Sequence, residues 1–281
     1  MRISLPRPRG SSFDVITALK AAPETPLRRR LVGVFDYVVG MLLLFLGWGA
    51  LALYINNLAI FPAPASVVAT GVEMIRQGEL WEDVYMSLSR IAVGYLLGTV
   101  VGIAGGLTLG RVELARRFLS PIINSVRTLP PVALIPLAII WFGIGEESKY
   151  FIVFWGSVMA VLFNTMDGVR NTPRNRVLAA ACLGASQRQI AWDVVIPSAI
   201  PAIWTGMKLA VGLAFMGVVA AELIAARSGL GALIMDARTL VQTDKMFVGL
   251  ATLAVVGGFV DLLVSAFGDR VLHRYIAYVR A

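Results

Sequence analysis

The sequence predicts an all-α fold: a polytopic membrane protein with six transmembrane helices. Three observations predict it. Of 281 residues, 58% are hydrophobic and only 15% charged, against roughly a quarter charged in a typical soluble domain. Mean hydropathy is +0.77. The charges are also segregated into short clusters between apolar runs, and those runs are long enough to cross ~30 Å of hydrocarbon as helix. A soluble chain of this size needs a polar surface that these charges are too few to supply.

Residues 1–33 read as a basic tail, with Pro6, Pro8, Pro23 and Pro26 ahead of the cluster Arg28, Arg29, Arg30. No apolar stretch lies near the start, so no cleaved signal peptide is expected. The tail suits anionic lipid headgroups. The spans are expected at about 34–55, 86–110, 119–142, 149–166, 203–225 and 247–268, within a membrane domain of 34–268, followed by a short tail at 269–281. The first external segment, 56–85, has room for a helix of its own: Pro62 and Pro64 break the chain, Ser66 can cap, and 67–76 reads helical.

The second span carries Gly94, Gly98, Gly102, Gly106 and Gly110, a ridge on one helix face. Such a ridge serves close approach of a neighbouring backbone; the other reading is a pore lining. The third span holds Arg127, Pro130, Pro131 and Pro136. Prolines free carbonyls and bend the axis, and a bent helix with an ionisable residue is a candidate for the translocation path. Arg127 can equally snorkel to the boundary. Glu222 near the external end of the fifth span is also a path candidate. With Asp261 in the sixth span, it belongs to a type of residue that usually pairs with a base or a helix terminus. These residues and Lys208 form no dense ionisable chain of the kind a proton-driven carrier needs, and no internal repeat is evident.

The formal net charge is +8. Nucleic-acid binding is one reading of such a surplus; positive loops facing the cytoplasm are the other. Sorting the cations by loop favours the second. Seventeen fall on the side that holds both termini: seven in the tail, then Arg111, Arg116, Arg117, Arg170, Arg174, Arg176, Arg188, Arg270, Arg274 and Arg280. Six fall on the other: Arg76, Arg90, Lys149, Arg227, Arg238 and Lys245. Both termini are therefore expected in the cytoplasm. Cys182 and His273 are the only residues of their kinds, which excludes a disulfide within the chain and speaks against a Cys/His metal site or a hydrolase triad. No metal or cofactor is expected, and no catalytic residue.

The longest cytoplasmic loop, 167–202, contains small residues before Gly184 and an aliphatic run that ends in Pro197. Leu183, Ile190 and Val194 fall on one helical face, with Gln187 and Arg188 elsewhere. A short helix outside the membrane, apolar on one side, suits a groove on another protein. This loop resembles the motif of the membrane subunits of ATP-binding cassette importers: Glu-Ala-Ala, three residues, Gly, nine residues, Ile, any residue, Leu-Pro. Leu178, Ala179, Ala180, Gly184, Val194, Ile196 and Pro197 stand at those positions. Leu178 replaces the glutamate and Ile196 the leucine.

Four further runs are similar to the sulfonate, taurine, nitrate and bicarbonate branch of these permeases. They are Gly78-Glu79-Leu80-Trp81 with Ser87-Leu88-Ser89-Arg90; Arg127 to Leu137; Trp141 to Lys149; and Ala221-Glu222-Leu223-Ile224 with Ser228-Gly229-Leu230-Gly231. The resemblance implies the type I (MetI-like) permease fold in a bacterial inner membrane. It implies a homodimer, two cytoplasmic ATPase subunits that bind ATP and Mg, and a solute-binding protein. It also implies that Ala179, Ala180, Gly184, Ala185 and Ser186, with Arg188, Ile190, Val194, Ile196 and Pro197, couple this chain to the ATPase. No Gly-Lys pair occurs, so no phosphate-cradling loop is present in the chain. The expected solute is an aliphatic sulfonate or taurine. Nitrate, bicarbonate, phthalate-like acids and thiamine-precursor pyrimidines stay open, as does a carrier or channel that works without partners.

Overall fold

The computed structural model describes residues 26–57 and 59–280, and among them every regular element is helical. The chain divides into two units. The first holds α1 (Pro26–Ile55), with an apolar stretch, Val38–Ile55, long enough to cross a membrane. The helix starts at Pro26, eight residues ahead of the expected span; residues 1–25 of the expected tail lie outside the described residues.

The second unit opens with α2 (Pro64–Gln77), the external helix expected at 67–76. Its cap is Ala63 with Pro64 at the first position, and Ser66 does not cap. The Ser66 hydroxyl lies 2.8 Å from the Ala63 carbonyl and 3.1 Å from Asp244 instead. Proline suits a first helical position because that N–H would have no partner anyway. Gly78, at φ +85°, then turns the chain into α3 (Glu79–Arg111).

The core of the unit is α3, α6 (Glu146–Arg170) and α8 (Gln187–Ala225), with α6 between the other two. The glycine ridge of α3 lies against α6. A Cβ built on Gly94, Gly98, Gly102, Gly106 or Gly110 would stand 2.5 to 2.8 Å from the Cβ of Val153, Ser157, Val161, Thr165 or Val169 respectively. Both rows advance by four residues, so the two helices run parallel and in register along the whole seam. The ridge is a packing surface. In a bilayer the hydrophobic drive between helices is absent, and this kind of backbone proximity supplies dispersion contact instead. On its other side α6 meets α8 antiparallel: a Cβ at Gly168 would reach Ala202 Cβ at 2.7 Å, and one at Gly206 would reach Asn164 Cβ at 2.7 Å.

The expected third span is two pieces. α4 (Glu113–Val126) and a 3-10 turn (Pro131–Leu134) leading into α5 (Ile135–Phe142) meet at a 90° bend. Pro131 pushes Pro130 to ψ 139°, out of the helical region, and neither proline has an N–H to continue the ladder. Among the described residues five helices are long and apolar enough to cross a membrane, and the bent pair makes a sixth crossing if it counts as one.

α9 (Leu230–Thr239) and α10 (Thr243–Arg280) complete the unit, so the residues expected as a C-terminal tail continue the last helix. α9 ends in a Schellman turn: Gln242 N–H donates to Ala237 C=O at 2.8 Å and Val241 N–H to Arg238 C=O at 3.2 Å. Val241 sits there at φ +57°, where a β-branched residue is strained. Its side chain is exposed. Val241→Gly is expected to stabilise the protein by about 1 kcal/mol. The thermal midpoint in detergent checks this; a lower midpoint contradicts it.

Candidate functional site

Two places in the second unit concentrate polar chemistry. The first is the loop between α6 and α8. α7 (Arg174–Cys182) crosses it and ends at Gly184, whose φ is +82°. Gly184 N–H donates to Ala181 C=O at 3.0 Å and Ala185 N–H to Ala180 C=O at 3.1 Å. This is again a Schellman turn, which glycine closes without strain. Ser186 then caps α8. Its Oγ accepts from Gln189 N–H, and Gln189 Oε1 accepts from Ser186 N–H at 2.8 Å, a complete capping box. Two helix ends are thus satisfied back to back within six residues.

From Ser186 onward the chain does not pause at a short helix. α8 runs unbroken from Gln187 to Ala225, 39 residues, or about 58 Å at the usual rise. Its second turn is a π-turn, Ile190–Val195. The wider turn answers to Pro197, which has no N–H to donate and would crowd the carbonyl four residues back in a regular helix. The short helix expected within the 167–202 loop is therefore one end of a helix long and apolar enough to cross a membrane.

The expected apolar face also divides. Leu183 belongs to the preceding turn and is 88% exposed, while Ile190 is buried at 5%. Ala179, Gly184, Ser186 and Arg188 are exposed, and Ala180, Ala185, Val194, Ile196 and Pro197 half-buried. The large exposed side chains of the α7–α8 corner are Leu178 and Leu183, with Trp192 on the π-turn behind it.

The second place is at the opposite end of the core. Arg90 and Glu222 are each 1% exposed. Arg90 Nη1 lies 2.7 Å from Glu222 Oε1, while Nε and Nη2 hold Glu146 bidentately at 2.5 and 2.9 Å. Arg90 also donates to the Ser228 carbonyl at 2.6 Å. Lys149 donates to Glu146 at 2.7 Å. Ser87 donates to Glu222 and accepts the Leu230 N–H at 2.9 Å. Gly231 N–H meets Glu222 Oε2 at 2.8 Å and Gly229 N–H meets Asp83 at 2.7 Å.

Charges taken out of water persist only when every donor and acceptor is met. Here each guanidinium nitrogen is used. A Cβ on Gly229, at φ +111°, would fall 2.6 Å from Arg90 Nη1, and one on Gly231 2.6 Å from Glu222 Cβ. The network ties α3, α6, α8 and the turn before α9 together. It can fix geometry, and its central pair, Arg90 and Glu222, is closed off from solvent.

The remaining path candidates sit at the bend. Arg127 ends α4, exposed, with its guanidinium carbon 4.8 Å from the centre of the Phe163 ring. Pro130 is exposed and Pro131 half-buried. Glu222 is remote in kind from these: it is a buried member of the network. Lys208 and Asp261 are exposed on their helices and pair with nothing among the described residues.

The description "binding-protein-dependent transport system inner membrane component" matches residues 94–273, from the first glycine of the ridge through most of α10. The chain belongs to this family. It is a membrane permease subunit of an importer, not an enzyme, and ATP hydrolysis in such systems belongs to partner subunits. The SsuC permease of Bacillus subtilis, assigned to aliphatic sulfonates transport, is 34% identical over 91% of this chain and 93% of its own length. The taurine transport system permease TauC of Escherichia coli is 34% identical over 81% of this chain and 85% of its own. The nitrate import permease NrtB of Leptolyngbya laminosa is 32% identical over 70% of each. Among solved structures, a chain of the inward-facing MetNI methionine transporter superposes with a TM-score of 0.56, covering 69% of this permease and 94% of that chain. At 21% identity that likeness shows the fold, the all-helical type I arrangement expected from the sequence.

Sequence reasoning placed Arg90 and Lys149 among the external cations and missed the network. The signal was present: Arg90 lies inside an apolar span, where an ionisable residue has a partner by default. The capping box was legible as well, as Ser186 with Gln189 three residues on.

Proposed function

We propose that this permease forms the path for a small anion, an aliphatic sulfonate or taurine, in an ATP-driven importer. In this reading two copies pair across the membrane, two ATPase subunits dock on the α7–α8 corners, and a solute-binding protein delivers from the other side. The observation that carries the coupling is the continuity of α8: a force on the corner at Gly184 to Arg188 passes into a spanning helix with no flexible joint between. Ala179, Ala180, Gly184, Ala185, Ser186 and Arg188 form the contact, and Ile190, Val194, Ile196 and Pro197 seat it on the bundle.

The substrate class rests on the sulfonate and taurine relatives; the nitrate relative supports a second reading within the same transporter class. Arg127, beside the proline bend, attracts the anion without holding it. Glu222 supports the path through the network and does not line it. Both termini face the cytoplasm. The distribution of cations, seventeen on the side of the termini against six on the other, supports this orientation.

Gly184 tests the coupling. No atom lies within 4 Å of a Cβ there, so a side chain at this position strains the turn but meets nothing inside the protein. Gly184→Ala carries the backbone strain, about 1 kcal/mol; Gly184→Trp adds bulk on the exposed corner. With the partner ATPase in proteoliposomes, Gly184→Trp is expected to lose solute-stimulated ATP hydrolysis while Gly184→Ala keeps most of it. Equal coupling in the two variants sinks the docking role.

A further inference from the structure

A cavity of about 420 Å³ opens beside the α7–α8 corner, lined by Leu107, Thr108, Arg111, Val112, Trp192 and Ile196. Its two walls are the end of α3 and the beginning of α8. Trp192 divides it from a second groove, where Arg188 and Asp193 lie. Three features of the first cavity bear on what fills it.

The first is Arg111. The nearest acidic residue in sequence, Glu113, is engaged by Arg116 and by Arg117, at 3.1 Å from the latter. Arg111 itself forms no ion pair among the described residues. Its charge is the only one in the lining. The second is Trp192, 61% exposed. An indole with an apolar body and one N–H donor prefers the boundary between headgroup and acyl chain. The third is the rest of the wall. Leu107, Val112 and Ile196 are apolar, and the Thr108 hydroxyl is spent on Ala104 C=O at 2.8 Å. One free cation, one interfacial aromatic and an apolar wall between two spanning helices match a molecule with an anionic head and a hydrocarbon tail.

We propose that this cavity binds one anionic phospholipid of the cytoplasmic leaflet. Arg111 takes the phosphate, the Trp192 N–H donates to the glycerol ester region, and the first acyl chain lies against Leu107 and Ile196. Basic pockets between spanning helices on the cytoplasmic side select anionic headgroups in this way. Because Trp192 belongs to the same π-turn that lies behind the coupling corner, a lipid here braces α8 from the membrane side. The choice of leaflet rests on the orientation proposed above; binding by Arg111 does not, so the two fail separately.

The test uses the assembled transporter, extracted from membranes containing phosphatidylglycerol and then washed with detergent. Native mass spectrometry reads the phosphatidylglycerol retained per permease copy. Arg111→Gln is expected to lower retention about fivefold, the effect of one basic residue near a lipid surface. Trp192→Phe is expected to lower it less, and Arg117→Gln, whose side chain is exposed and paired with Glu113, to leave it unchanged. Reconstitution in phosphatidylcholine alone should yield the same complex without the retained lipid. Equal retention in Arg111→Gln and Arg117→Gln overturns the proposal. So does loss of the ATPase subunit from Arg111→Gln with lipid retention intact, which assigns the cavity to protein docking. Displacement of the retained lipid by millimolar inorganic phosphate alone overturns it too, because the acyl contacts then contribute nothing.

Discussion

Replacing Arg90 with alanine is expected to cost about 3–5 kcal/mol, the usual penalty for stranding a buried charge. Glu222 would keep Ser87 and the Gly231 N–H but lose its only cation. Glu146 would keep Lys149 alone. Net stabilities of folded domains are only about 5–15 kcal/mol, so the Arg90→Ala permease should melt far below the parent and assemble poorly. Arg90→Lys retains the charge but not the fork that spans Glu146, Glu222 and Ser228, and should fall between the two. A double replacement, Arg90→Ala with Glu222→Ala, removes both charges and should lose less than the sum of the single losses. Thermal midpoints of the parent, Arg90→Ala, Arg90→Lys, Glu222→Ala and the double variant in detergent decide this. A wild-type midpoint for Arg90→Ala would show that the network contributes nothing to stability.

Gly106→Leu is expected to be nearly as severe. A Cβ there falls 2.5 Å from Thr165 Cβ and 2.7 Å from the Leu162 carbonyl. Neither atom is the end of a flexible side chain, so α3 and α6 must separate along their length, at a cost of about 1–3 kcal/mol or more. The contrast is Gly212, in the middle of α8, where no atom lies within 4 Å of an added Cβ. Gly212→Ala should leave the protein unchanged or gain about 0.5–1 kcal/mol from the helix preference of alanine. The pair separates the seam from glycine as such. If both variants fold and melt alike, close approach of α3 and α6 is not what the ridge is for.

The periodicities that depend on one helix at a time were legible in the sequence. The four-residue glycine spacing announced a packing ridge, but its partner could be found only by noticing that Val153, Ser157, Val161, Thr165 and Val169 share the spacing 59 residues later. The network was harder to see because its members come from separate parts of the chain. Each part was recognisable as a family signature: the one with Arg90, the one with Glu146 and Lys149, the one with Glu222 and the one with Gly229 and Gly231. That they meet at one point is a fact of tertiary structure. At the bend the proline cluster predicted a kink. The full 90° break follows from two consecutive prolines, which together leave no N–H to bridge the gap. The helix that follows Gly184 does not stop at Pro197, as the sequence pattern suggests, because the π-turn before Pro197 absorbs its missing hydrogen bond.

In the proposed function this permease supplies a path and a lever, and the energy comes from elsewhere. Uptake of labelled taurine or an alkanesulfonate into proteoliposomes measures this most directly. The vesicles hold this chain alone, or this chain with the ATPase and the binding protein of the same system. Uptake is predicted only with all three components and ATP, and only while the Gly184 corner is intact. Solute accumulation by the chain alone, without ATP, would contradict this role and make the protein a self-sufficient carrier.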